Sequence, residues 1–224
     1  MMKVHALVPA FNEADTIAEV VTGLQPFVAA ITVVDDGSTD GTGELARAAG
    51  AAVITQPSKS GKGTAVRAGL AAVLPTDCTH VLLIDGDLQH RPAEAARLID
   101  AARQSGADLV IGERQFDRAG MPASRYHANR IGSRALSSFV GVPLADTQCG
   151  FRLFAAPVLR GLRLDSRGYE IETEMLVKVR RRGGTVVSAP VSAVYNGRPS
   201  KLRPIRDTTR TCFLAVYYRF LERP

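Results

Sequence analysis

The segment VLLIDGDLQH, from Val81 to His90, begins with four aliphatic residues and then changes abruptly to polar ones. A short aliphatic run of this kind is typical of a strand that is covered on both faces. Asp85, Asp87 and Gln89 follow at alternating positions, and Gly86 allows a tight backbone between the two aspartates. The segment therefore predicts a buried strand that ends in a loop with two carboxylates and a carboxamide.

The same pattern of an apolar strand followed by a polar loop occurs twice earlier in the chain. PAFNE follows the first predicted strand, and DDGSTD follows the second. Segments with helical spacing of apolar residues separate the strands, which indicates a doubly wound, mainly parallel α/β sheet flanked by helices. Ligands bind beyond the carboxyl ends of the strands in such sheets, so we expect the three loops to meet in one crevice.

Further elements extend this pattern along the chain. The predicted strands lie in KVHALVPA, AITVV, AAVITQ, HVLLID, DLVIGE, GFRLFAA and TVVSAPVSAVY. The predicted helices lie in ADTIAEVVTGLQPF, GELARAAG, TAVRAGLAAVL, PAEAARLIDAARQSG, YHANRIGSRALSSFVG, YEIETEMLVKVRRRGG and TCFLAVYYRFL. A chain of 224 residues suits one large α/β domain or two small ones, and we predict a single domain over residues 1–224.

Charge is distributed unevenly between the two halves of the chain. Residues 1–113 carry 8 Lys/Arg and 14 Asp/Glu, whereas residues 114–224 carry 20 and 8. The acidic half can hold a divalent cation, and the basic half can hold phosphates, nucleic acid or an anionic membrane surface. A solvated, Arg-rich surface is the alternative interpretation of the basic half.

The location of the protein is predicted from features that the sequence lacks. No apolar run approaches the roughly 18 residues typical of a membrane span, and the N-terminal MMKVHALVPA has no signal-peptide cleavage pattern. Cys78, Cys149 and Cys212 are odd in number and scattered, so we expect reduced thiols. These features predict a cytoplasmic protein, with a peripheral position on the cytoplasmic face of a membrane as a second option.

The acidic loops contain the candidate metal and nucleoside sites. Asp85, Asp87 and Gln89 offer hard oxygen ligands of the kind that Mg²⁺ or Mn²⁺ prefers, although a polar turn that caps the helix near Pro92 would use the same residues. Asp35 and Asp36 can accept hydrogen bonds from ribose hydroxyls or a base N–H. The neighbouring residues of the DDGSTD loop can instead cap the next helix.

The segment SKSGKG is a candidate phosphate-binding loop. Lys62 and Arg67 lie in and after it and can meet a diphosphate, while a solvated lysine loop is the alternative. It is not a standard phosphate loop, because Gln56 replaces the first glycine and Gly63 follows the lysine. No GxGxxG follows the first strand, which argues against a dinucleotide site.

Six segments, taken in order, carry a resemblance to a known family. These are LVPAFNEADTIAEVV, ITVVDDGSTDGT, SGKGTAVRAGL, VLLIDGDLQH, LVIGER and DTQCGFRLF. Together they resemble family 2 glycosyltransferases of the GT-A fold, especially the branch that moves a hexose from a sugar nucleotide to dolichyl, undecaprenyl or another polyprenyl phosphate. The resemblance implies a UDP- or GDP-sugar donor, a divalent metal and inversion at the anomeric carbon.

The resemblance also implies roles for individual residues. The positions that resemble nucleoside contacts are Pro9, Ala10, Asn12, Glu13, Asp35 and Asp36. Those that resemble the metal and diphosphate site are Asp85, Asp87 and Gln89. Those that resemble basic or polar contacts to the acceptor phosphate or the donor diphosphate are Arg114, Arg125, Arg198, Ser200 and Lys201. Residues 1–113 are accordingly the predicted nucleotide-sugar and metal half, and residues 114–224 the predicted acceptor half with a basic, aromatic C-terminal helix.

Two departures from the family pattern refine the prediction. The chain contains no Trp and hence no Gln-x-x-Arg-Trp motif, which argues against a processive polysaccharide synthase. The C-terminal transmembrane helices of many polyprenyl-phosphate members are also missing, so membrane access would depend on interfacial contact or on a membrane partner protein. A homo-oligomer is a further prediction, and we expect no nucleic-acid partner.

The identity of a general base is left open by the sequence. A phosphate acceptor is already anionic, whereas a sugar hydroxyl would need a carboxylate near the anomeric carbon. Asp146, Glu172 and Glu174 are the candidates, and Asp87, Asp146 and Glu172 are the predicted catalytic residues. Two other functions also stay open: transfer to a soluble sugar or metabolite, and non-catalytic binding of a polyanion or membrane surface through the basic half.

Overall fold

Seven strands form one mixed sheet in the part of the chain that the structure describes. The structure is a computed structural model, and it describes residues 1–115, 132–134 and 136–192. The strands are β1 (Val4–Ala10), β2 (Ala30–Asp35), β3 (Ala52–Thr55), β4 (His80–Leu83), β5 (Leu109–Gln115), β6 (Arg152–Ala155) and β7 (Val186–Ser192). Their order across the sheet is β3-β2-β1-β4-β6-β5-β7.

Helices follow most strands and flank the sheet, as the alternating apolar pattern predicts. They are α1 (Ile17–Leu24), α2 (Thr42–Ala48), α3 (Lys62–Val73), α4 (Ala95–Ser105), α5 (Ala156–Arg160) and α6 (Ile171–Arg181), with a 3₁₀ turn at Pro92–Glu94 before α4. Residues 132–134 and 136–140 are also helical and lie inside the helix predicted for YHANRIGSRALSSFVG. The predicted doubly wound, mainly parallel α/β sheet is confirmed for these elements.

The central strands are almost completely buried, which explains their continuous aliphatic sequences. Leu7, Val33 and Leu82 are fully buried on β1, β2 and β4. Helix α3 approaches the sheet very closely at Gly69, where a Cβ atom would lie 2.2 Å from Leu7 Cδ1. This close packing sets the distance between the sheet and α3, whose first residue is Lys62.

Strand β6 is the exception to the parallel arrangement. It pairs antiparallel with both β4 and β5, so that Arg152 at its start lies beside Leu83 at the end of β4. The turn that precedes β6 therefore reaches the same edge of the sheet as the DGDLQH loop. A purely parallel strand would have placed that turn at the opposite edge.

Two predictions are not resolved by the described residues. The C-terminal basic and aromatic helix lies outside them, and the single domain over residues 1–224 stays a prediction. Within residues 1–115, 132–134 and 136–192, no helix combines the length and the apolar character that a membrane crossing requires.

Candidate active site

The loops that follow β1 and β2 are joined directly to each other. The Asn12 amide N–H donates to Ser38 Oγ at 2.9 Å, and Asn12 Oδ1 accepts from the Thr39 amide at 3.0 Å. Asn12 adopts a left-handed backbone conformation with φ of 52°, which asparagine tolerates better than most residues. The Glu13 amide is held in turn by Thr42 Oγ1 at 2.9 Å. These contacts bring the predicted PAFNE and DDGSTD nucleoside loops together.

Asp35 and Asp36 are both buried at the carboxyl end of β2, and each accepts hydrogen bonds from a nearby loop. Asp35 accepts from the Ser38 amide at 3.0 Å. Asp36 accepts from the Ser60 amide at 2.8 Å, from Ser60 Oγ at 2.6 Å and from the Gly61 amide at 2.9 Å. The Asp36 carboxylate therefore anchors the SKSGKG loop, and its predicted contact with a nucleoside stays a prediction.

Lys62, at the start of α3, is held between two carboxylates from distant parts of the chain. Its Nζ lies 2.6 Å from Asp85 Oδ1, 2.9 Å from Asp85 Oδ2 and 2.5 Å from Glu172 Oε1. Burial disfavours the charged ammonium, but the two carboxylates outweigh that effect and raise the pKa of Lys62. Lys62 is thus a fixed positive charge inside the predicted metal and diphosphate site.

Gly150 closes one side of this ion-paired group. A Cβ atom at this position would lie 2.7 Å from Asp85 Oδ2, 2.8 Å from Glu172 Oε1 and 3.1 Å from Lys62 Nζ. Contacts this short would force the charged groups apart, so the absence of a side chain lets the turn before β6 lie against them. Gly150 lies inside the segment DTQCGFRLF, where no pattern in the sequence indicates this role.

Asp87 occupies the tight loop after β4 together with Asp85. Leu88 next to it has a φ of 59°, and the Gln89 amide donates to Asp87 Oδ1 at 3.1 Å. Burial, followed by the nearby Asp85 charge, raises the pKa of Asp87 to about 6. The loop therefore brings a second carboxylate into a place where its negative charge is unfavourable without a further cation.

The donor set in this loop fits a hard divalent cation. Asp85 already binds a positive group, the Lys62 ammonium, with both of its oxygens, and Asp87 adds a second carboxylate in the same loop. No group of three or more His, Cys, Asp or Glu side chains in the described ranges can hold a metal ion by itself. Mg²⁺ is usually held by one or two carboxylates together with substrate phosphates, which matches Asp85 and Asp87.

Arg114 and Asp146 form a bidentate ion pair near the turn before β6. Arg114 Nε lies 2.5 Å from Asp146 Oδ2, and Nη2 lies 3.0 Å from Oδ1. The Asp146 side chain is almost completely buried, and its Oδ1 also accepts from the Gln148 amide at 3.1 Å. The structure therefore brings together two predicted site residues, with one stabilising the charge of the other.

A buried guanidinium holds the turn before β6 in place. Arg152 is completely buried and donates to the carbonyl oxygens of Thr147 and Cys149 at 2.7 Å and of Glu172 at 2.6 Å. It thereby ties the turn to the start of α6, which carries the Glu172 carboxylate. The signal for this role was a charged residue inside the apolar sequence FRLF, a position that sequence reasoning passed over.

Not every predicted site residue can be located. Pro9 and Ala10 form the end of β1, where the Ala10 carbonyl accepts from the Asp36 amide at 2.8 Å. Arg67 lies on α3 and donates to the Leu164 carbonyl at 3.4 Å. The remaining predicted contacts lie outside the described residues; they are Arg125, Arg198, Ser200 and Lys201.

Glu174, one of the three candidate bases, is occupied by a structural role. Its carboxylate accepts from the amides of Asp165 and Ser166 at 2.9 and 2.8 Å and pairs with Lys178 at 2.8 Å. Burial disfavours its charge, but these hydrogen bonds outweigh burial and lower the pKa of Glu174. Glu174 thus holds the 165–166 segment against α6.

We expect Glu174→Gln to lower the free energy of unfolding by about 2 kcal/mol at pH 7, because the buried amide of Ser166 and the partly buried amide of Asp165 would lose a charged acceptor. The folded-state pKa of Glu174 is lowered, so its contribution is complete above the unfolded value of about 4.5 and is lost as the pH falls through the folded value. Urea unfolding at pH 7 and pH 3.5 should therefore show a smaller difference between variant and wild type at the lower pH. A difference that does not change with pH would contradict this role.

Comparison with known proteins places this architecture in a family. The model of "Glycosyl transferase family 2" matches residues 6–162. Glycosyltransferase AglJ of Haloferax volcanii is 38% identical over 220 residues, which cover 95% of this chain and 70% of that protein. Undecaprenyl-phosphate mannosyltransferase of Micrococcus luteus is 32% identical over 206 residues, covering 86% and 84%.

A solved structure supports the same assignment. Glucosyl-3-phosphoglycerate synthase from Mycobacterium tuberculosis, in complex with Mg²⁺ and uridine diphosphate, superimposes with a TM-score of 0.75 at 26% identity, covering 97% of this chain and 79% of that one. The family match spans β1 to β6 and thus the whole ion-paired group except Glu172. By sequence and by fold, the chain belongs to glycosyl transferase family 2 and is a glycosyltransferase of the GT-A type.

Proposed function

We propose that this glycosyltransferase moves a hexose from a nucleotide-diphosphate sugar to a polyprenyl phosphate, with the help of Mg²⁺ or Mn²⁺ and with inversion at the anomeric carbon. The single observation that carries the proposal is that all three candidate bases are engaged in ion pairs, Glu174 with Lys178 as described above. Glu172 pairs with Lys62, and Asp146 pairs with Arg114. Either carboxylate would have to give up its cation before it could accept a proton.

This arrangement favours an acceptor that needs no deprotonation. A polyprenyl phosphate carries an anionic oxygen that can attack the anomeric carbon directly, whereas a neutral sugar hydroxyl needs a base. The new bond forms between the phosphate oxygen and the anomeric carbon as the bond from that carbon to the diphosphate oxygen breaks. The bonding electrons leave with the nucleoside diphosphate, and a single displacement of this kind inverts the configuration.

The donor would bind at the three loops on the carboxyl edge of the sheet. We assign the nucleoside to the joined loops of Asn12 and Asp35, and the diphosphate to the region of Lys62 and Asp85. A divalent ion held by Asp85 and Asp87 would neutralise charge that develops on the leaving diphosphate. Lys62 supplies a further positive charge in the same place.

The names of relatives support the lipid acceptor. The Micrococcus luteus protein is an undecaprenyl-phosphate mannosyltransferase by name. The formal charge of +12 on residues 114–224 is also suited to an anionic acceptor and to a negatively charged membrane surface. We therefore propose a cytoplasmic-face location in peripheral contact with the membrane, and we retain Arg125, Arg198, Ser200 and Lys201 as proposed contacts to the acceptor or the diphosphate.

The similarity to glucosyl-3-phosphoglycerate synthase favours a second candidate acceptor. The name of that protein indicates a soluble, phosphorylated product. A small phosphorylated metabolite would need no general base only if its phosphate were the attacking group, since transfer to one of its hydroxyl groups would need a carboxylate free of its cation. The interpretation as a non-catalytic polyanion binder is not supported by family membership.

A transfer assay separates the two acceptors. UDP-, GDP- and dTDP-hexoses are tested as donors with Mg²⁺ or Mn²⁺ and with three acceptors: a polyprenyl phosphate in detergent, the matched polyprenol without phosphate, and 3-phosphoglycerate. We expect transfer to the polyprenyl phosphate to exceed transfer to the polyprenol by about 10²-fold, because a site built for the phosphate is left unpaired without it, and to be faster than transfer to 3-phosphoglycerate. The product should have the anomeric configuration opposite to that of the donor.

Two results would contradict the proposal. Faster transfer to 3-phosphoglycerate than to the lipid would favour the soluble acceptor. Equal transfer to the polyprenol and to its phosphate would show that the acceptor charge is not recognised.

A further inference from the structure

The ammonium of Lys62 occupies the place beside Asp85 that a bound metal ion would take. Both oxygens of Asp85 face Lys62 Nζ, at 2.6 and 2.9 Å. Asp85 is at the same time one of the two carboxylates assigned to the divalent ion. The Lys62 ammonium and the divalent ion would therefore bind the same carboxylate.

The two cations cannot share Asp85 without a large electrostatic cost. Mg²⁺ sits about 2.0–2.1 Å from a carboxylate oxygen. Because Lys62 Nζ lies 2.6 and 2.9 Å from the two oxygens of Asp85, an ion bound to the same oxygen as the ammonium would lie within about 5 Å of it. At that separation the repulsion between a single and a double charge is several kcal/mol even at the effective dielectric of a protein surface. This repulsion favours a movement of Lys62 away from Asp85 when a metal ion binds there.

A second anchor makes such a movement feasible. Glu172 Oε1 lies 2.5 Å from the same Nζ, so the ammonium can leave Asp85 and still keep one carboxylate partner. The carboxylates come from separate elements, the loop after β4 and the start of α6. The side chain of Tyr169 also lies near the ammonium, with its ring centroid 5.7 Å from Nζ. Lys62 consequently has alternative favourable surroundings within a short distance of Asp85.

We propose that Lys62 is a tethered competitor of the divalent ion: it holds Asp85 while the site contains no metal, and it releases Asp85 when a nucleoside diphosphate offers the ammonium another anionic partner. This inference rests on the proposed function, since it takes Asp85 as a metal ligand and the diphosphate as the donor group. Its consequence is that metal and nucleotide bind more tightly together than separately. Such coupling is reciprocal, because each ligand changes the affinity of the other by the same factor.

Lys62→Met should change the affinity for Mn²⁺ in opposite directions, depending on whether Lys62 competes with the metal ion or only holds Asp85 in place. Removal of a competitor should strengthen the binding of Mn²⁺ alone by about 10-fold or more, because the repulsion and the ion pair with Asp85 both disappear. Removal of a residue that merely holds Asp85 in place should weaken it. Mn²⁺ binding is titrated by electron paramagnetic resonance in the absence of nucleotide and again with saturating UDP or GDP.

Wild type should bind Mn²⁺ about 10-fold more tightly with nucleotide than without it, and Lys62→Met should show a smaller difference between the two affinities, because only the direct contribution of the phosphates as metal ligands remains. Lys62→Arg keeps the positive charge and should retain weak binding of the metal alone. Lys3→Met removes one exposed positive charge that pairs with Asp77, at the opposite end of strands β1 and β4 from the site, and controls for net charge. It should leave both affinities unchanged.

The outcomes distinguish this inference from the proposed function. If wild type binds Mn²⁺ neither alone nor with nucleotide, the metal dependence fails and the inference fails with it. If wild type binds the metal but Lys62→Met binds it equally or more weakly, the inference alone is overturned. Should Lys62→Met not fold, the same comparison is made between Glu172→Gln and Lys62→Met/Glu172→Gln, which differ only in the ammonium; tighter metal binding by the double variant supports the competition, and equal or weaker binding overturns it.

Discussion

Replacing Asp87 with alanine should lower the rate of sugar transfer by about 10²- to 10³-fold, the usual size of the effect when a group that stabilises transition-state charge is lost. The free energy of unfolding should stay unchanged or rise slightly. Burial and the nearby Asp85 charge raise the pKa of Asp87, which means that its ionised form is unfavourable in the fold. The residue thus serves activity at some expense of stability.

Transfer rates and urea unfolding of the same preparation test this separation of activity from stability. Asp87→Asn keeps the size of the side chain and should lose nearly as much activity, since the amide lacks the charge that a divalent ion needs. Asp77→Ala is the matched control, because it removes an aspartate that is 77% exposed and pairs only with Lys3 among the ion pairs described. Full activity of Asp87→Ala, or full activity of wild type in excess EDTA, would contradict a metal site in this loop.

Replacing Arg152 with methionine should lower the free energy of unfolding by about 3–5 kcal/mol, as is typical when one partner of a buried charged network is removed. Three backbone carbonyls, of Thr147, Cys149 and Glu172, would lose their buried donor. The turn that carries Gly150 would also lose its attachment to α6. We therefore expect transfer activity to fall together with stability.

Arg103→Met provides the matched control for this change. The Arg103 side chain is 60% exposed and pairs with Asp100 within α4, so its replacement should cost less than about 0.5 kcal/mol. Arg152→Lys should recover only part of the stability, because an ammonium cannot reproduce the fork of donors that a guanidinium presents. A loss below about 1 kcal/mol in Arg152→Met would mean that water or a backbone shift satisfies the three carbonyls.

The two predictions differ in how far sequence alone supports them. The Asp87 prediction can be made from VLLIDGDLQH, since a buried strand that ends in carboxylates already indicates a ligand site. The Arg152 prediction cannot, because an arginine in FRLF looks the same whether its guanidinium reaches water or is buried among carbonyls. Only the antiparallel pairing of β6 with β4 and β5 puts that side chain between the turn and α6.

Lys62 is a second case in which the sequence predicts one feature and only the fold shows another. Its place at a glycine loop before a helix indicated a phosphate contact, and the structure begins α3 at Lys62, two residues before the predicted start at Thr64. Its two carboxylate partners, 23 and 110 residues further along the chain, were each assigned separate roles. The glycine loop itself is anchored by Asp36, which sequence reasoning had assigned to a nucleoside.

Three features can be predicted from the sequence without the structure: the alternation of strands and helices, the position of three polar loops at strand ends, and the resemblance to family 2 glycosyltransferases. These follow from local periodicity and from short motifs, which report how each segment meets the core. Three other features are visible only in the folded chain: β6 runs antiparallel, Lys62 joins Asp85 to Glu172, and Asp146 pairs with Arg114. These ion pairs depend on which loops meet at the edge of the sheet and on which charged groups are buried there. The spacing of residues along one segment contains no information about either.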